Sequence, residues 1–596
     1  MRRQVNLSGG ERHNALWGRR GDNRKNALWG SGKRGILLTA IAAMLVLPIA
    51  GGAATSSTQR RSAAVTESAT LLELAGANPD RVFNVIVQTR GGSGKNAAAE
   101  AIDAARGKHP GKARGLKKEF SVISGGAAEL TGAQIVDLAS RKNVIAITED
   151  VPMVTSSNPN TSTSTCASCP FEGVYWPYVT GVTGFWQKPG AKAAPAPQAP
   201  AIAVVDSGVD AGNSMFGGRV VKQVALTSLT PNANGDGRGH GTFVAGLAAG
   251  MLGNWGGSSP TSKIISLDVM NDKGKAMTSD VIAAADWIYQ HKDENGIRVA
   301  NFSLHAEGES SFLLDPLDQA VERLWFSGVV VVTAAGNYAV EGQPSGVLYA
   351  PGNDPFVITV GSVDLNATTD LADDFASPWS SYGYTLDGFS KPELAAPGRY
   401  MIGAVPTTAT MTAERPDRIV APGFMWMSGT SFAAPVVAGA AADLLALHPN
   451  WTPNQVKGAL MVSARDLPAA RAGSAGVGEV KLDAAALVTA PPNANVALDK
   501  FLTPDPLGGS TPVFDAASWA EAARADTAWD AASWADASWA AASWNDASWA
   551  EASWSDASWA TASWSDASWA DASWADASWA DGETGKHAWA DLSWLN

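Results

Sequence analysis

The sequence predicts an α/β protein in which a parallel sheet carries helices on both faces and is preceded by a small α+β unit. Between residues 170 and 490, short apolar runs rich in β-branched residues alternate with longer helical stretches. These runs are apolar throughout rather than at alternate positions, which is typical of parallel strands buried on both faces. Ahead of them, strand and helix patterns alternate between residues 82 and 148.

The composition limits the class of protein. The chain has 596 residues, 45% hydrophobic and 17% charged, so it can bury a large core and is not globally disordered. Two cysteines rule out a disulfide-built scaffold, and with only seven histidines they argue against a zinc module. The formal net charge is −13, and the excess of Lys and Arg in the first 54 residues leaves the rest acidic. We therefore expect no nucleic-acid partner.

Residues 1–54 are expected to be a secretory signal peptide. Residues 36–50 form an apolar run, preceded by Lys33 and Arg34 and followed by small residues, which is the order of such signals. The run is shorter than the ~20 residues of a membrane span, and a buried core helix is the alternative. We expect a secreted protein, extracellular or associated with the cell surface.

Export from the cell affects how the C-x-x-C pair is interpreted. Cys166 and Cys169 lie in a stretch rich in Ser and Thr. In an exported protein they favour a small disulfide, although such a tight loop is strained. Redox chemistry is the alternative.

The region 65–155 is expected to fold as the small α+β unit. Its predicted strands lie at 82–88, 120–128 and 143–148, and its predicted helices near 96–106 and 131–141. A linker rich in Ser, Thr and Asn follows at 156–168.

The large α/β domain is expected over 165–490. Its predicted strands lie at 201–205, 263–269, 299–304, 329–335 and 356–362, and its clearest helices at 281–290 and 431–447. Proline and glycine then indicate a linker at 491–513.

Three polar residues stand where a core would not place them. Asp206 ends a predicted strand, and ligands of open α/β sheets bind beyond the carboxyl ends of strands. His240 lies between glycines at the start of an apolar helix, and Ser431 opens another helix, whose N–H groups face any anion formed there. Singly, they also fit a turn-former, a surface histidine and a helix N-cap.

Taken together, the three residues supply the parts of acyl-transfer chemistry. That chemistry needs a hydroxyl nucleophile, a base near neutral pKa and a carboxylate that orients the base. The chain order Asp, His, Ser is one of the few known orders of this triad. Asn337 follows a buried strand, where its amide could donate to an oxyanion.

The motifs around these residues resemble the subtilisin-like serine peptidases, the subtilases. The segments AVVDSGVD, GHGTFVAG, NFSL, AAGN and GTSFAAP match that family's motifs in its order. Three further segments agree, at 350–364, 380–398 and 448–464. The resemblance covers about 170–490, and the unit at 65–155 resembles the family's inhibitory propeptide, which also assists folding.

The resemblance implies a secreted serine endopeptidase made as a zymogen that processes itself. Ser431 would be the nucleophile and His240 the base, oriented by Asp206. Asn337 and the Ser431 N–H would bind the oxyanion. A binding or surface-display protein with a degenerate peptidase domain is the alternative, but all four residues are present. Sedolisin-like peptidases use Glu as the base, and GHGTFVAG argues against them.

The resemblance also implies partners and ions. Substrates would be polypeptides, paired as a strand with Ser303 and Leu304. Gly336 and its neighbours would wall the pocket for the residue before the scissile bond, and the chain's own propeptide would be a further partner. Calcium binding is common in the family, but no ligand cluster in this sequence can be assigned to it.

Four positions depart from the family's pattern. His305 stands where glycine is usual after Ser-Leu, and Tyr349 where a small residue is expected at the pocket floor. A broad, large-pocket specificity is therefore in doubt. Phe243 replaces a frequent histidine, which we interpret as a packing change. Phe432 replaces a frequent methionine, so the oxidation liability of a thioether beside the serine is absent.

The tail over 514–596 repeats the unit A-S-W-x-[DA], with Trp at almost every fifth position. A five-residue step gives one apolar face neither in a helix nor in a strand. A square coil with five residues per side is one interpretation. The alternative is a flexible acidic tail that adheres to cell-wall polymer, a membrane interface or other chains. Deleting 514–596 is expected to leave cleavage of small peptides intact.

Overall fold

The computed structural model describes residues 65–66, 69–90, 97–156, 175–186, 198–253, 255–368, 370–505 and 509–524. The expected signal peptide, the two cysteines and the tail beyond residue 524 lie outside these residues.

The N-terminal unit, which we define as the described residues from 65 to 156, contains a five-stranded sheet in the order β1-β5-β2-β4-β3. Its strands are β1 (Val65–Thr66), β2 (Val82–Thr89), β3 (Gly115–Phe120), β4 (Gly125–Thr131) and β5 (Val144–Glu149), and its helices are α1 (Ala69–Ala77), α2 (Ala97–Lys108) and α3 (Gly132–Ala139). The helices and sheet enclose a hydrophobic core of their own, but a second set of buried residues belongs to the core of the large domain: Ile86, Phe120, Val122, Ile123 and Ala127.

The single strand expected at 120–128 is a hairpin, in which β3 and β4 pair antiparallel around a turn at 121–124. Glycines make the close pairing feasible. A Cβ at Gly126 would lie 2.6 Å from the Leu116 side chain and 2.9 Å from the Lys118 carbonyl oxygen.

The large domain is built on an eight-stranded sheet. The strand order is β17-β16-β15-β13-β7-β11-β8, with β20 also paired to β16. Its members are β7 (Ala201–Asp206), β8 (Val220–Ala225), β11 (Ile264–Asp268), β13 (Ile297–Phe302), β15 (Val330–Ala334), β16 (Ile358–Asp364), β17 (Phe375–Ala376) and β20 (Leu394–Pro397).

All pairs in this sheet are parallel except that of β16 with β17. Every residue of β7, β11, β15 and β16 is buried. Since successive side chains point to opposite faces of a strand, both faces of the sheet are covered. The predicted α/β fold is confirmed.

Shorter strands complete the domain: β9 (Met251–Leu252), β10 (Trp255–Gly256), β12 (Lys275–Met277), β14 (Leu304–Ala306), β18 (Gly383–Tyr384), β19 (Ser390–Lys391), β21 (Met401–Ala404), β22 (Ile419–Ala421) and β23 (Phe424–Met427). Its helices are α4 (His240–Ala249), α5 (Thr278–Asn295), α6 (Pro316–Phe326), α7 (Thr410–Glu414), α8 (Thr430–Leu447), α9 (Pro453–Val462) and α10 (Leu482–Ala485).

Two pairs of helices pack on the sheet, α4 with α8 and α5 with α6. Among the described residues α8 is long and apolar enough to cross a membrane, yet 89% of that apolar stretch is buried inside the protein. It is therefore the type of helix that forms a core, and it carries Ser431 into the interior of the large domain.

One strand of the N-terminal unit lies in the large domain. β6 (Pro152–Thr155) is the central strand of a three-stranded sheet, antiparallel to β12 on one side and to β14 on the other. The sequence analysis did not anticipate this strand. Its partners follow it by more than a hundred residues, so no local pattern reveals the pairing.

The C-terminal segment, residues 496–505 and 509–524, packs on the large domain and contains α11 (Val496–Asp499), β24 (Leu502–Thr503), β25 (Val513–Phe514) and α12 (Ala516–Arg524). A linker was expected over 491–513, with a separate tail from 514. Instead, Trp519 is 1% exposed and stacks on Phe389, with ring centroids 5.4 Å apart. The structured part of the chain thus extends into the first tryptophan repeat.

Candidate active site

Asp206, His240 and Ser431 come from three different elements and meet at one edge of the sheet. Asp206 ends β7, His240 begins α4 and Ser431 is the second residue of α8. His240 Nδ1 lies 2.7 Å from Asp206 Oδ1 and 3.0 Å from Oδ2, and His240 Nε2 lies 3.0 Å from Ser431 Oγ. This chain of contacts is what proton transfer from a serine to an oriented imidazole requires.

Glycines allow the close approach of the segments that carry Asp206 and His240. Gly239 has φ of 95°, a value that other residues adopt rarely. At Gly241, a Cβ would lie 2.0 Å from the carbonyl oxygen of Gly208, just beyond Asp206. A side chain at either position would displace His240 from Asp206.

Asp236 ties the same two segments together. Its carboxylate accepts hydrogen bonds from Ser207 Oγ at 2.9 Å, from Gly239 N at 2.6 Å, and from Thr242 N at 2.8 Å and Oγ1 at 2.6 Å. Burial raises the pKa of Asp236 to about 6, although these donors oppose the shift. Asp236 therefore holds the residues on either side of His240 and the residue after Asp206.

A third carboxyl lies on the neighbouring strand. Asp268 pairs with Asp206 across β11 and β7. Burial, with smaller contributions from the charges of Asp236 and Asp206, raises the pKa of Asp268 to about 7. Three carboxyl groups, one of which contacts His240, thus interact with one another, and burial favours the neutral form of Asp236 and Asp268.

Two donors converge on one carbonyl oxygen in the cleft. Asn337 Oδ1 accepts from Thr430 N at 3.0 Å and from Thr430 Oγ1 at 3.2 Å, which directs Asn337 Nδ2 away from them. That Nδ2 donates to the carbonyl oxygen of Ser156, and Ser431 N lies 3.3 Å from the same oxygen. The cleft can therefore stabilise negative charge on this oxygen.

The residues expected to bind substrate flank the end of β6. Ser156 N donates to Ser303 O at 3.2 Å, and Thr155 pairs in register with Leu304. Gly336, expected to wall the pocket, has φ of 97° and donates its N–H to Thr430 Oγ1 at 3.1 Å. In the described part of the chain, Ser303 and Leu304 contact β6, whereas Gly336 contacts the helix that bears Ser431.

The phenylalanines that depart from the family's pattern contact each other. Phe243 and Phe432 are fully buried, with ring centroids 4.5 Å apart, and Phe432 lies 5.2 Å from His240. The two departures therefore form one packing unit behind the imidazole.

Three residues of the site were not predicted from the sequence: Asp236, Thr430 and Ser156. Asp236 precedes His240 by four residues in a glycine-rich loop, where a buried carboxylate that binds backbone N–H groups could have been suspected. Thr430 lies inside GTSFAAP but was not assigned a role. No signal within the sequence marks Ser156.

Among the residues that the structure describes, no three His, Cys, Asp or Glu side chains cluster so that they could hold a metal ion. No residue of the described part is therefore assigned to calcium.

Comparison with known proteins agrees with this geometry. Residues 198–481 match the model of the subtilase family. Serine protease AprX of Bacillus subtilis (strain 168) is 32% identical over 268 residues, which cover 43% of this chain and 59% of that protein. Subtilisin DY of Bacillus licheniformis is 32% identical over 268 residues, covering 45% of this chain and 84% of that protein.

A solved structure shares the fold. The crystal structure of fervidolysin from Fervidobacterium pennivorans superposes with a TM-score of 0.50 at 22% identity, covering 69% of this chain and 62% of that one. The match to AprX leaves about two fifths of that relative uncovered, whereas most of subtilisin DY is spanned. On the family model and the match to subtilisin DY, this chain belongs to the subtilase family of serine peptidases.

Proposed function

We propose that the protein is a secreted serine endopeptidase, made as a zymogen, that cuts its own chain after Ser156. One observation carries the proposal. The Ser156 carbonyl oxygen receives hydrogen bonds from Asn337 and from Ser431 N, while Ser431 Oγ is hydrogen-bonded to His240. A carbonyl held by two donors beside a serine and its base is arranged as a substrate.

In the reaction, Ser431 Oγ attacks the carbonyl carbon of Ser156 while His240 Nε2 takes the serine proton. Negative charge moves to the carbonyl oxygen, which Asn337 Nδ2 and Ser431 N stabilise. The intermediate collapses as His240 gives the proton to the leaving amine, and the acyl group remains on Ser431. Water then attacks with His240 again as base, releasing the Ser156 carboxylate. Asp206 holds the imidazole by Nδ1 throughout.

The same cleft would bind polypeptide substrates as β6 is bound, through main-chain hydrogen bonds to β14 and β12. The N-terminal unit then acts as an inhibitor, because its last strand occupies the place of substrate. Export rests on the apolar segment 36–50. Attachment to a surface polymer through the tryptophan repeats is part of the proposal.

Substitution of Ser431 by Ala tests the proposal. The wild-type chain, secreted from a protease-free host, is expected to yield a mature protein whose N-terminus follows Ser156. It should also be labelled at Ser431 by a serine-directed phosphonate. Ser431→Ala should remain uncut and unlabelled, because loss of the serine in subtilisin lowers turnover by about 10⁶-fold.

Ser463→Ala is the matched control, since this serine hydroxyl bonds only to the carbonyl oxygens of Ala459 and Leu460 at the end of α9. It should mature normally. Secretion of Ser431→Ala at mature size would contradict self-processing, and an unlabelled wild-type protein would contradict the peptidase activity.

A further inference from the structure

We propose that the cleft accepts only small side chains at the residue whose carbonyl is attacked, and that His305, Tyr338 and Tyr349 impose this limit. These three residues are called the pocket cluster below. The inference rests on the proposed function, because it concerns the choice of substrate at the same cleft.

The attacked residue lies between two walls. On one side, Ser156 N donates to Ser303 O at the start of β14. On the other side, the carbonyl oxygen of Ser156 is bound by Asn337, the residue before Tyr338. The side chain of the attacked residue must fit between these walls. Ser156 itself is 0% exposed, so its surroundings close completely around a hydroxymethyl group.

His305 lies on the face of β14 that the Ser156 side chain shares. It pairs in register with Val154, and paired residues of an antiparallel ladder direct their side chains to the same face. Val154 and Ser156 are two residues apart and therefore share that face. His305 is also buried, with 5% of its surface exposed. Its imidazole thus takes up space beside the attacked residue.

Tyr338 reaches from the opposite wall to His305. The Tyr338 hydroxyl lies 3.3 Å from His305 Nε2, and the two ring centroids are 5.2 Å apart. His305 Nδ1 lies 2.8 Å from Ala306 O, an acceptor, so Nδ1 carries the proton, while the Tyr338 hydroxyl, also 3.4 Å from Nδ1, lies against the imidazole. Burial lowers the pKa of His305, which favours this neutral form. A close contact between Tyr338 and His305 therefore joins the two walls.

Tyr349 contacts both of the other rings. Its ring centroid lies 4.7 Å from that of Tyr338 and 5.6 Å from that of His305. The segment is fixed against β14, because Ala306 N donates to Ala350 O at 2.9 Å. With three rings in mutual contact, a large side chain would have to displace at least one of them.

The pocket offers nothing to a hydroxyl group. Ser156 Oγ is buried and has no hydrogen-bond partner among the described residues. A buried hydroxyl without a partner is unfavourable, so alanine should fit at least as well as serine. The substrate class is therefore a polypeptide with Ala, Ser or Gly before the cut.

Peptides that copy residues 153–155 test the inference. The mature enzyme, obtained from the full chain, is given chromogenic peptides Met-Val-Thr-X with X as Ala, Ser, Leu or Phe. We expect kcat/KM for Ala to equal or exceed that for Ser, and to exceed that for Leu and Phe by about 10- to 100-fold, the scale of overpacking effects. Tyr349→Gly should raise the Phe-to-Ala ratio at least about 10-fold, and Tyr349→Phe should retain the wild-type preference. Tyr178→Ala, at an exposed tyrosine, is the control.

The outcomes separate this inference from the proposed function. A wild-type enzyme that prefers Phe or Leu overturns the inference while leaving the peptidase intact. If the ratio of kcat/KM for Phe to that for Ala is unchanged in both Tyr349→Gly and His305→Gly, the pocket cluster does not limit the size of the side chain. Because each ratio is measured within one protein, partial misfolding of a variant does not affect it, and the wild-type profile decides alone if a variant fails to fold. Hydrolysis of no peptide and no protein overturns the proposed function and this inference together.

Discussion

Two segments flank the region that matches the subtilase model, and both pack on it, but only one has a hydrophobic core of its own. The N-terminal unit buries Val85, Leu130 and Leu138 among its own helices and strands. The C-terminal segment has no such core. Trp519 belongs to the core of the large domain, and Phe514 packs against that core.

This difference indicates which segment can dissociate from the large domain. A unit with its own core can stay folded when it detaches, even though Phe120 and Ile123, which lie in the core of the large domain, become exposed. A segment without its own core has no other place to bury its aromatic side chains. The N-terminal unit accordingly docks in part through polar contacts. Asp286 of α5 accepts from Ser121 N at 2.7 Å and from Val122 N at 2.6 Å. We therefore regard the C-terminal segment as a permanent part of the catalytic domain.

The largest effect is expected from a substitution in the C-terminal segment, which remains part of the catalytic domain. Trp519→Ala should lower the free energy of unfolding of the mature enzyme by about 3–5 kcal/mol, the usual cost of truncating a buried Trp. The measurement is denaturant unfolding of the phosphonate-inhibited enzyme. A chain ending at Arg524 should be as stable as wild type, and one ending at Val513 should lose at least as much as Trp519→Ala. Equal stability of all three proteins would make the C-terminal segment dispensable.

The next largest effect is expected on the proposed cleavage after Ser156, which would free the N-terminal unit. Asn337→Ala should slow both self-cleavage and peptide hydrolysis by about 10²–10³-fold in kcat with little change in KM, as known for this type of donor in subtilisin. The donor acts on the oxyanion, which forms only in the transition state. Steady-state kinetics check this, and a loss confined to KM would assign Asn337 to substrate binding instead.

Loss of a docking contact is expected to have a smaller effect than loss of the Asn337 donor. Asp286→Ala leaves the backbone donors of Ser121 and Val122 without their acceptor, so the severed N-terminal unit should dissociate about 10- to 100-fold faster. Size-exclusion chromatography after cleavage measures this rate. Glu294→Ala is the matched control on the same helix, because Glu294 contacts only His291, at 4.0 Å, and Asn295 Nδ2, at 3.3 Å, both of which belong to that helix. Equal rates for both variants would refute a docking role for Asp286.

Docking should also depend on pH through Asp150. Its carboxylate accepts from Ser279 N at 2.9 Å and from Ser279 Oγ at 2.8 Å. Burial, assisted by the charge of Asp280, raises the pKa of Asp150 in the complex. A carboxyl with a raised pKa binds its proton more tightly in the complex, so the complex is favoured at low pH. It weakens as pH rises from the ordinary carboxyl range through the raised pKa.

Dissociation measured at a series of pH values should therefore accelerate by up to about tenfold per pH unit within that interval. Asp150→Asn should lack this dependence. A wild-type complex that dissociates more slowly as pH rises would show that the sign is wrong.

The last substitution is expected to leave the stability of the mature enzyme unchanged. Leu138→Ala truncates the core of the N-terminal unit and should reduce the yield of mature enzyme. The melting temperature of the protein that does mature should equal that of wild type, because the altered unit has left. A lower melting temperature would show that the N-terminal unit remains part of the mature protein.

The sequence predicted those parts of the molecule whose signals are local. The runs at 201–205 and 329–335 are short, apolar and rich in β-branched residues, which is typical of strands in the middle of a parallel sheet, and both form such strands. Asp206, His240 and Ser431 stand at the ends of elements in glycine-rich motifs, and the structure brings them within hydrogen-bond distance.

The features that escaped prediction depend on partners distant in the chain. β6 becomes a strand because β12 and β14 lie on either side of it. Trp519 is buried because Phe312 and Phe389 offer it a site, while its own five-residue period indicates no regular element. Asp236 differs from these two, because its backbone donors Gly239 and Thr242 are close in the chain, and its glycine-rich loop was the available signal.

The place of β6 between two strands has a consequence for the proteins that the mature enzyme would cut. Once β6 has left, β12 and β14 present unpaired edges across a gap that only an extended stretch of chain can fill. A folded protein offers such a stretch only when it opens locally. We therefore expect folded proteins to be cleaved faster when the free energy of their local unfolding is lower. The cleft would then select substrates by local disorder as well as by sequence.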